Sequence, residues 1–218
     1  MRVKQTLTLI MLAWALLYAV PAAFGQDGLQ PAHLQDFKKV TQVKASPDGN
    51  YVAYVLNFPK SISKGAGTDY RQLHVYDVQE DAHRTLLDKE VKVTSVGWSP
   101  NSEHVTYRAA DSETGHMQVF AITPEGKDKK RLTSLSRSVT DYGFIDPSTL
   151  AITAEEPQSK RKKELLEKGF DMNVVEEELP SLDLWRYNLN NDEKKQLTEG
   201  VAVFDFKVSP DGSKIAAA

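Results

Sequence analysis

The stretch KASPDGNYVAYV at residues 44–55 is written again as KVSPDGSKIA at 207–216, and a looser copy, GWSPNSEHVTYR, stands at 97–108. Each copy joins a turn to an alternating strand. Proline presets φ for the second turn position, Asp or Asn can bond its own backbone, and Gly accepts a positive φ. A short strand precedes each turn: TQVKAS, TSVGWS and FDFKVS. The unit is therefore a β-hairpin, and the chain repeats it. In NYVAYV, Tyr51, Ala53 and Val55 point one way while Val52, Tyr54 and Leu56 point the other. Both faces are apolar, as in strands covered on both sides by stacked sheets.

A second piece recurs between the hairpins: RQLHVYDVQEDAHRTLL at 71–87, GHMQVFAITPEGKDKKRLT at 115–133 and LDLWRYNLNNDEKKQLT at 182–198. In each, an alternating strand leads through a polar turn to a short strand ending in Leu-Leu or Leu-Thr. One unit is thus four antiparallel strands, with units at 40–89, 93–133 and 139–198 and a further one opening at 203. The third hairpin, VTDYGFIDPSTLAITAEE, keeps Asp146-Pro147 and loses the glycine. Prolines 47, 100, 147 and 210 stand at spacings that suit propeller blades, whereas the turns of a single sandwich come every 8–12 residues. The expected fold is all-β: a β-propeller of four-stranded antiparallel blades, incomplete in this chain. The long third unit holds an insert at 156–181, in which QSKRKKELLEKGF predicts a short helix of three turns with Leu165, Leu166 and Phe170 as its apolar side.

The start of the chain carries an address. Arg2 and Lys4 precede a mostly apolar run from Leu7 to Val20, and Ala23 and Gly25 stand at the places a signal peptidase reads before Gln26. Residues 1–25 read as a removable secretory signal, too short for a stable membrane span, followed by an N-terminal segment at 26–39. The product is expected to be exported, periplasmic or secreted. It has no cysteine and so relies on packing. Beyond the leader, 25 basic residues face 30 acidic ones, a formal charge of −5, which gives no support to a nucleic-acid partner. The basic run KRKK at 160–163 reads as a solvated helix face, with an anionic partner as the alternative.

The pieces LQDFKKVTQVKASPDGNYVAYV, LHVYDV, VGWSPNSEHVTY and LWRYNLNNDEKKQLT resemble the N-terminal propeller of secreted prolyl oligopeptidase family serine peptidases, in particular the acylaminoacyl and dipeptidyl peptidase branches. The insert with its following strand, KKELLEKGFDMNVVEEELPSLDLWRYNL, is the more selective part of that likeness. The Ser-Pro-Asp-Gly hairpin is also used by periplasmic propellers of the Tol system. The resemblance implies a downstream α/β-hydrolase domain whose serine, histidine and aspartate cleave a peptide substrate through an acyl-enzyme. The Gly-x-Ser-x-Gly elbow of such a domain is not written in these 218 residues. Ser46, Ser99 and Ser209 sit in hairpin turns, so no catalytic residue is assigned to this chain. The alternative is a stand-alone periplasmic propeller that binds protein partners.

Other candidate sites are few. The five histidines, His33, His74, His83, His104 and His116, have no metal-ligand spacing, and neither a metal nor another cofactor is expected. His74 reads as an ordinary strand residue. Gly65 and Gly67 lack the Lys-Ser or Lys-Thr of a phosphate loop and read as a hairpin loop. Trp98, Trp185 and Phe206 alternate with polar neighbours and are expected in the core. Glu155 and Glu156 read, on the residues alone, as a solvated blade edge. The resemblance to the dipeptidyl branch adds a second reading, in which a glutamate pair holds the substrate's amino terminus by charge-assisted hydrogen bonds.

Overall fold

The repeated turn is built by its own side chains. In the first copy, Ser46 Oγ donates to Asp48 Oδ1 (2.6 Å) and accepts the amide of Tyr51 (2.9 Å), while Asp48 Oδ1 also accepts the amide of Asn50 (3.1 Å). The last copy does the same with Ser209, Asp211, Ser213 and Lys214. Gly49 and Gly212 take φ values of 76° and 70°, as the turn demands. In the middle copy Ser102 stands in the glycine's place at φ 61°, and its hydroxyl accepts the amide of Asp48 from the neighbouring turn (3.1 Å).

These turns connect strands in a computed structural model that describes residues 37–60, 69–88, 91–155, 164–165, 167–170, 182–199 and 201–218. The expected leader and residues 156–163 lie outside the described residues. The chain divides into two units, Met1–Phe37 and Lys38–Ala218, and every described strand belongs to the second. The first sheet is β1 (Lys39–Ala45), β2 (Tyr51–Phe58), β3 (Tyr70–Asp77) and β4 (Ala82–Leu87), hydrogen-bonded in chain order. The second repeats the plan with β5 (Ser95–Trp98), β6 (Val105–Ala110), β7 (Met117–Ile122) and β8 (Lys130–Arg131). The third has β9 (Val139–Asp146), β10 (Thr149–Glu155), β11 (Leu182–Asn188) and β12 (Lys194–Gln196), and β13 (Phe206–Val208) with β14 (Ile215–Ala217) forms a final hairpin. All pairings are antiparallel. Among the described residues the repeated strand grammar of the sequence thus appears as four-stranded antiparallel sheets of the propeller-blade kind.

Each sheet packs its faces against its neighbours. Ala53, Val55, Leu73 and Val75 of the first sheet meet Trp98, Val105 and Tyr107 of the second. Val119 of the second meets Val139, Leu150, Ile152 and Tyr187 of the third. Ala151 and Leu184 turn the other way to meet Val203 and Phe206. Trp98 and Phe206 are buried as expected, while Trp185 is half-buried against the second core.

The Leu-Thr endings have a shared task. The amides of Leu132 and Thr133 both bond the carbonyl of Val119, and Thr133 Oγ1 accepts the Val119 amide (2.9 Å). Leu197, Thr198 and Leu184 repeat this arrangement. The threonine hydroxyl completes the ladder where the backbone of the fourth strand turns away.

The helical insert requires correction. The fourteen elements traced among the described residues are all strands, and helical backbone is described only at residues 164, 165 and 167. Of the three turns expected over 158–170, the described residues form a single turn: Lys168 N–H bonds Glu164 C=O (3.2 Å), Phe170 N–H bonds Leu165 C=O (2.9 Å), and Gly169 ends it at φ 81°. Leu165 and Phe170 are 39% and 61% exposed, so the presumed apolar side is not packed. Leu166 lies outside the described residues. Without a buried face, a helix this short is marginal. Among the described residues no helix is long and apolar enough to cross a membrane.

The two turn glycines differ in their surroundings. A Cβ at Gly212 would lie 2.1 Å from the carbonyl oxygen of Ile145, whereas at Gly49 it would meet nothing within 4 Å. Gly49→Ala is therefore expected to cost about 1 kcal/mol from its left-handed φ alone. Gly212→Ala adds a backbone collision and is expected to exceed about 2 kcal/mol. Amide exchange read separately at residues 51–58 and 206–217 checks the difference; equal loss at the two hairpins would refute it.

Candidate functional site

An edge strand has backbone groups left over, and β1, β5, β9 and β13 are each the first, edge strand of their sheet. All four contribute to one cleft of about 420 Å³. β1 supplies Lys44, β5 runs along it from Ser95 to Trp98, β9 from Asp141 to Phe144, and β13 from Phe206 to Val208.

Particular side chains pin the sheets together beside the cleft. Trp98 Nε1 donates to the carbonyl of Lys44 (2.9 Å), tying the second sheet to the first, and its ring stacks on Tyr51. Tyr142 donates its hydroxyl to Thr106 Oγ1 (3.1 Å), tying the third sheet to the second. Gly97 makes room for that bond: a Cβ there would lie 3.1 Å from Thr106 Oγ1 and 3.4 Å from the Tyr142 hydroxyl. Gly143 does the same for the last hairpin, since a Cβ would meet Phe206 and Val208 at 3.4 Å.

The cleft's charges come from Lys44, Lys207 and Asp141. Asp141 Oδ1 accepts the amide of Tyr142 (2.9 Å). Behind the rim, the half-buried Arg108 donates to Thr94 Oγ1 (3.0 Å) and to the carbonyl of Val139 (3.3 Å). Burial lowers its proton affinity, and the Asp141 carboxylate opposes that change. Desolvation likewise pushes the Tyr142 phenol well above its ordinary range, so it acts as a neutral donor. A smaller cavity of about 110 Å³ lies between the second and third sheets, with Glu103, His104 and Lys130 at its wall. Burial lowers the proton affinity of His104, and Lys130 adds to the effect.

This arrangement can bind; its chemistry is not that of a nucleophile. Ser46 and Ser209 are held by their turn aspartates, and Ser99 Oγ bonds the backbone of His104. Among the described residues, no serine hydroxyl is hydrogen-bonded to an imidazole side chain, and no three His, Asp or Glu side chains gather as a cation site. What the cleft offers is hydroxyls, two ammonium groups, one carboxylate and strand edges, a surface suited to an extended polar chain.

Glu155 closes β10, its backbone paired with Leu182, two residues beyond the Thr153 that pairs with Asp141. Glu156, His33, Gly65 and Gly67 lie outside the described residues. Residue-by-residue reading of the sequence passed over Lys44, Gly97, Tyr142 and Lys207. A signal existed: Lys44, Gly97 and Lys207 each stand two places before a turn serine and each lines the cleft.

No known family's profile matches the chain. Dipeptidyl-peptidase 5 of Porphyromonas endodontalis is 24% identical to it over 164 residues, covering 70% of this chain and 23% of that protein. The chain thus spans about a quarter of the length of this curated relative. Among solved structures, TolB of Acinetobacter baumannii superposes with a TM-score of 0.55 at 17% identity, covering 83% of this chain and 37% of its own. An acylaminoacyl peptidase of Pyrococcus horikoshii gives 0.54 at 11% identity, with 76% and 26% covered. At such identities, the likeness to both structures is one of fold.

Trp98→Phe keeps an aromatic ring against Tyr51 and removes the donor to the Lys44 carbonyl. The loss is expected to be about 1–3 kcal/mol, the cost of leaving an acceptor unmatched. Urea unfolding of the two chains measures it, and an unchanged midpoint would show that the bond contributes nothing.

Proposed function

We propose that this chain is the noncatalytic N-terminal propeller segment of a larger, exported serine-type peptidase that hydrolyses short peptides. A downstream α/β-hydrolase domain would carry the serine, histidine and aspartate of acyl transfer. The blades would admit peptides and hold them while that domain does the chemistry. The observation that carries this reading is the match to a dipeptidyl peptidase over 70% of the chain, of which the chain spans only 23%. The cleft supports it, since strand edges flanked by Lys44, Asp141 and Lys207 suit a peptide better than an apolar ligand. Within this reading, Glu155 and Glu156 hold the substrate's ammonium terminus.

The likeness of fold to TolB favours one other reading, a stand-alone periplasmic propeller that binds a protein partner. The complete gene encoding this chain separates the two. A Gly-x-Ser-x-Gly elbow in a following domain belongs to the peptidase, and a stop after the last blade belongs to the binder.

Two outcomes are expected. The purified chain does not turn over aminoacyl or dipeptidyl chromogenic substrates, and a fluorophosphonate probe does not label it, because the groups needed for acyl transfer lie elsewhere. Turnover that such a probe abolishes would overturn the assignment of chemistry to another domain. In the full-length parent, Glu155→Gln and Glu156→Gln are expected to raise KM about tenfold or more for peptides with a free amino terminus, by loss of a charge-assisted bond. N-acetylated peptides should be unaffected. Equal effects on both substrates would remove the amine-binding role.

A further inference from the structure

The first sheet has a second face, and its composition is unusual. One face, with Ala53, Val55, Leu73 and Val75, is buried against the second sheet. The other carries Tyr54, His74, Tyr76 and His83, half-buried or exposed among the described residues. The strand registers define what these positions do elsewhere. Tyr54 pairs with His74 as Tyr107 pairs with Phe120 and as Ile152 pairs with Trp185. In the second and third sheets these pairs pack into the cores toward the preceding sheet. The Tyr54 and His74 rings stack at 5.2 Å and 12°, much as Tyr107 and Phe120 stack at 5.6 Å and 16°. The first sheet therefore puts an imidazole where its repeats put an apolar ring.

That imidazole is wired across three strands. His74 Nδ1 bonds Thr85 Oγ1 of β4 (3.2 Å), and His74 Nε2 bonds Gln72 Oε1 (3.3 Å). With Gln72 accepting, the neutral ring donates from Nε2 and accepts the threonine hydroxyl at Nδ1. Gln72 in turn donates to Asp88 (2.6 Å). Tyr54 of β2, stacked on His74, bonds His83 Nδ1 of β4 (3.0 Å), and His83 packs against Tyr76 at 4.7 Å. By contrast, the buried Tyr107 hydroxyl has no hydrogen-bond partner among the described residues.

We propose that this cluster is a proton switch: neutral His74 locks β2, β3 and β4 together on this face, and a protonated His74 loosens them. Around it stand Tyr54 from β2, Tyr76 from β3 with Asp81 on its hydroxyl (2.7 Å), His83 from β4, Asp88 beyond β4, and Lys38 ahead of β1. Desolvation is the main force opposing a charge on His74; His83 and Lys38 add to it, and Asp88 works against it. The folded chain thus holds this proton less tightly than the unfolded chain does. The stabilisation is complete at neutral pH and is lost as pH falls through the ordinary histidine value of 6.5 and below.

Imidazole proton shifts followed against pH in the chain, together with amide exchange at residues 51–58 and 70–77, test this. His74→Phe assigns the resonance and recreates the pairing of Tyr107 with Phe120. His104→Gln removes the other histidine whose proton affinity burial lowers. The expected results are a His74 midpoint below 6.5, protection of the first sheet lost in step with it, and protection retained by His74→Phe. A His74 midpoint at or above 6.5 would overturn the switch, and so would a loss of protection that His74→Phe shares with the parent or that His104→Gln abolishes. Should His74→Phe fail to fold, the titration of the parent chain still decides.

Discussion

The second and third sheets are covered on both sides, and much of the structure follows from that. β10 makes the point most simply: Leu150 and Ile152 enter the core shared with the second sheet, while Ala151, between them, enters the core shared with the last hairpin. A strand used this way does not alternate apolar with polar; its middle is apolar on both faces, with Thr149 and Thr153 buried toward its ends. In β10 the larger Leu150 and Ile152 stand toward the preceding sheet and the small Ala151 toward the next. The stack draws its stability from interfaces between neighbours, as repeat arrays do, and no single sheet holds a core of its own.

Packing is also close beside the cleft, where the first strands approach one another. There the chain gives up side chains altogether at Gly97 and Gly143, and uses the space for a tyrosine hydroxyl and for Phe206 with Val208. The same crowding explains the polar character of the cleft. Strands that meet edge to edge without pairing leave amides and carbonyls facing open space, so hydroxyls and charged side chains settle among them. Backbone groups on edges that do not pair with each other must be satisfied by water, side chains or a ligand.

The repeat was legible because turn chemistry is local. A serine, a proline, an aspartate and a glycine specify a hairpin without reference to anything distant, and the copies at 46–49 and 209–212 bond in the same way. The double-faced strands were legible for a related reason, since period-two patterning needs no tertiary knowledge. The helix at 158–170 failed on the opposite ground. Its apolar side at Leu165 and Phe170 predicts burial, and the described residues offer it nothing to bury against. The cleft was harder to see. Lys44, Tyr142 and Lys207 are ordinary strand residues until the arrangement of four sheets brings their strands together. The role of His74 depends on register, because only the pairing of Tyr54 with His74, set beside that of Tyr107 with Phe120, marks the imidazole as out of place.

A fold shared at similar scores by TolB and by an acylaminoacyl peptidase cannot choose between binding and catalysis. The choice has to come from chemistry at particular atoms. Acyl transfer needs a hydroxyl beside a base and an oxyanion hole facing the substrate; here the turn serines spend their hydroxyls on turn aspartates and backbone amides. Those bonds add to the backbone pairs Gly49 to Ser46 and Gly212 to Ser209 in bracing the repeated turn. The turn serines are thus committed to architecture, apart from the polar cleft between the first strands. Reaction chemistry then falls to another domain in the peptidase reading and to none in the binding reading. Both readings leave the same work to the cleft, so Lys44, Asp141 and Lys207 matter to either of them.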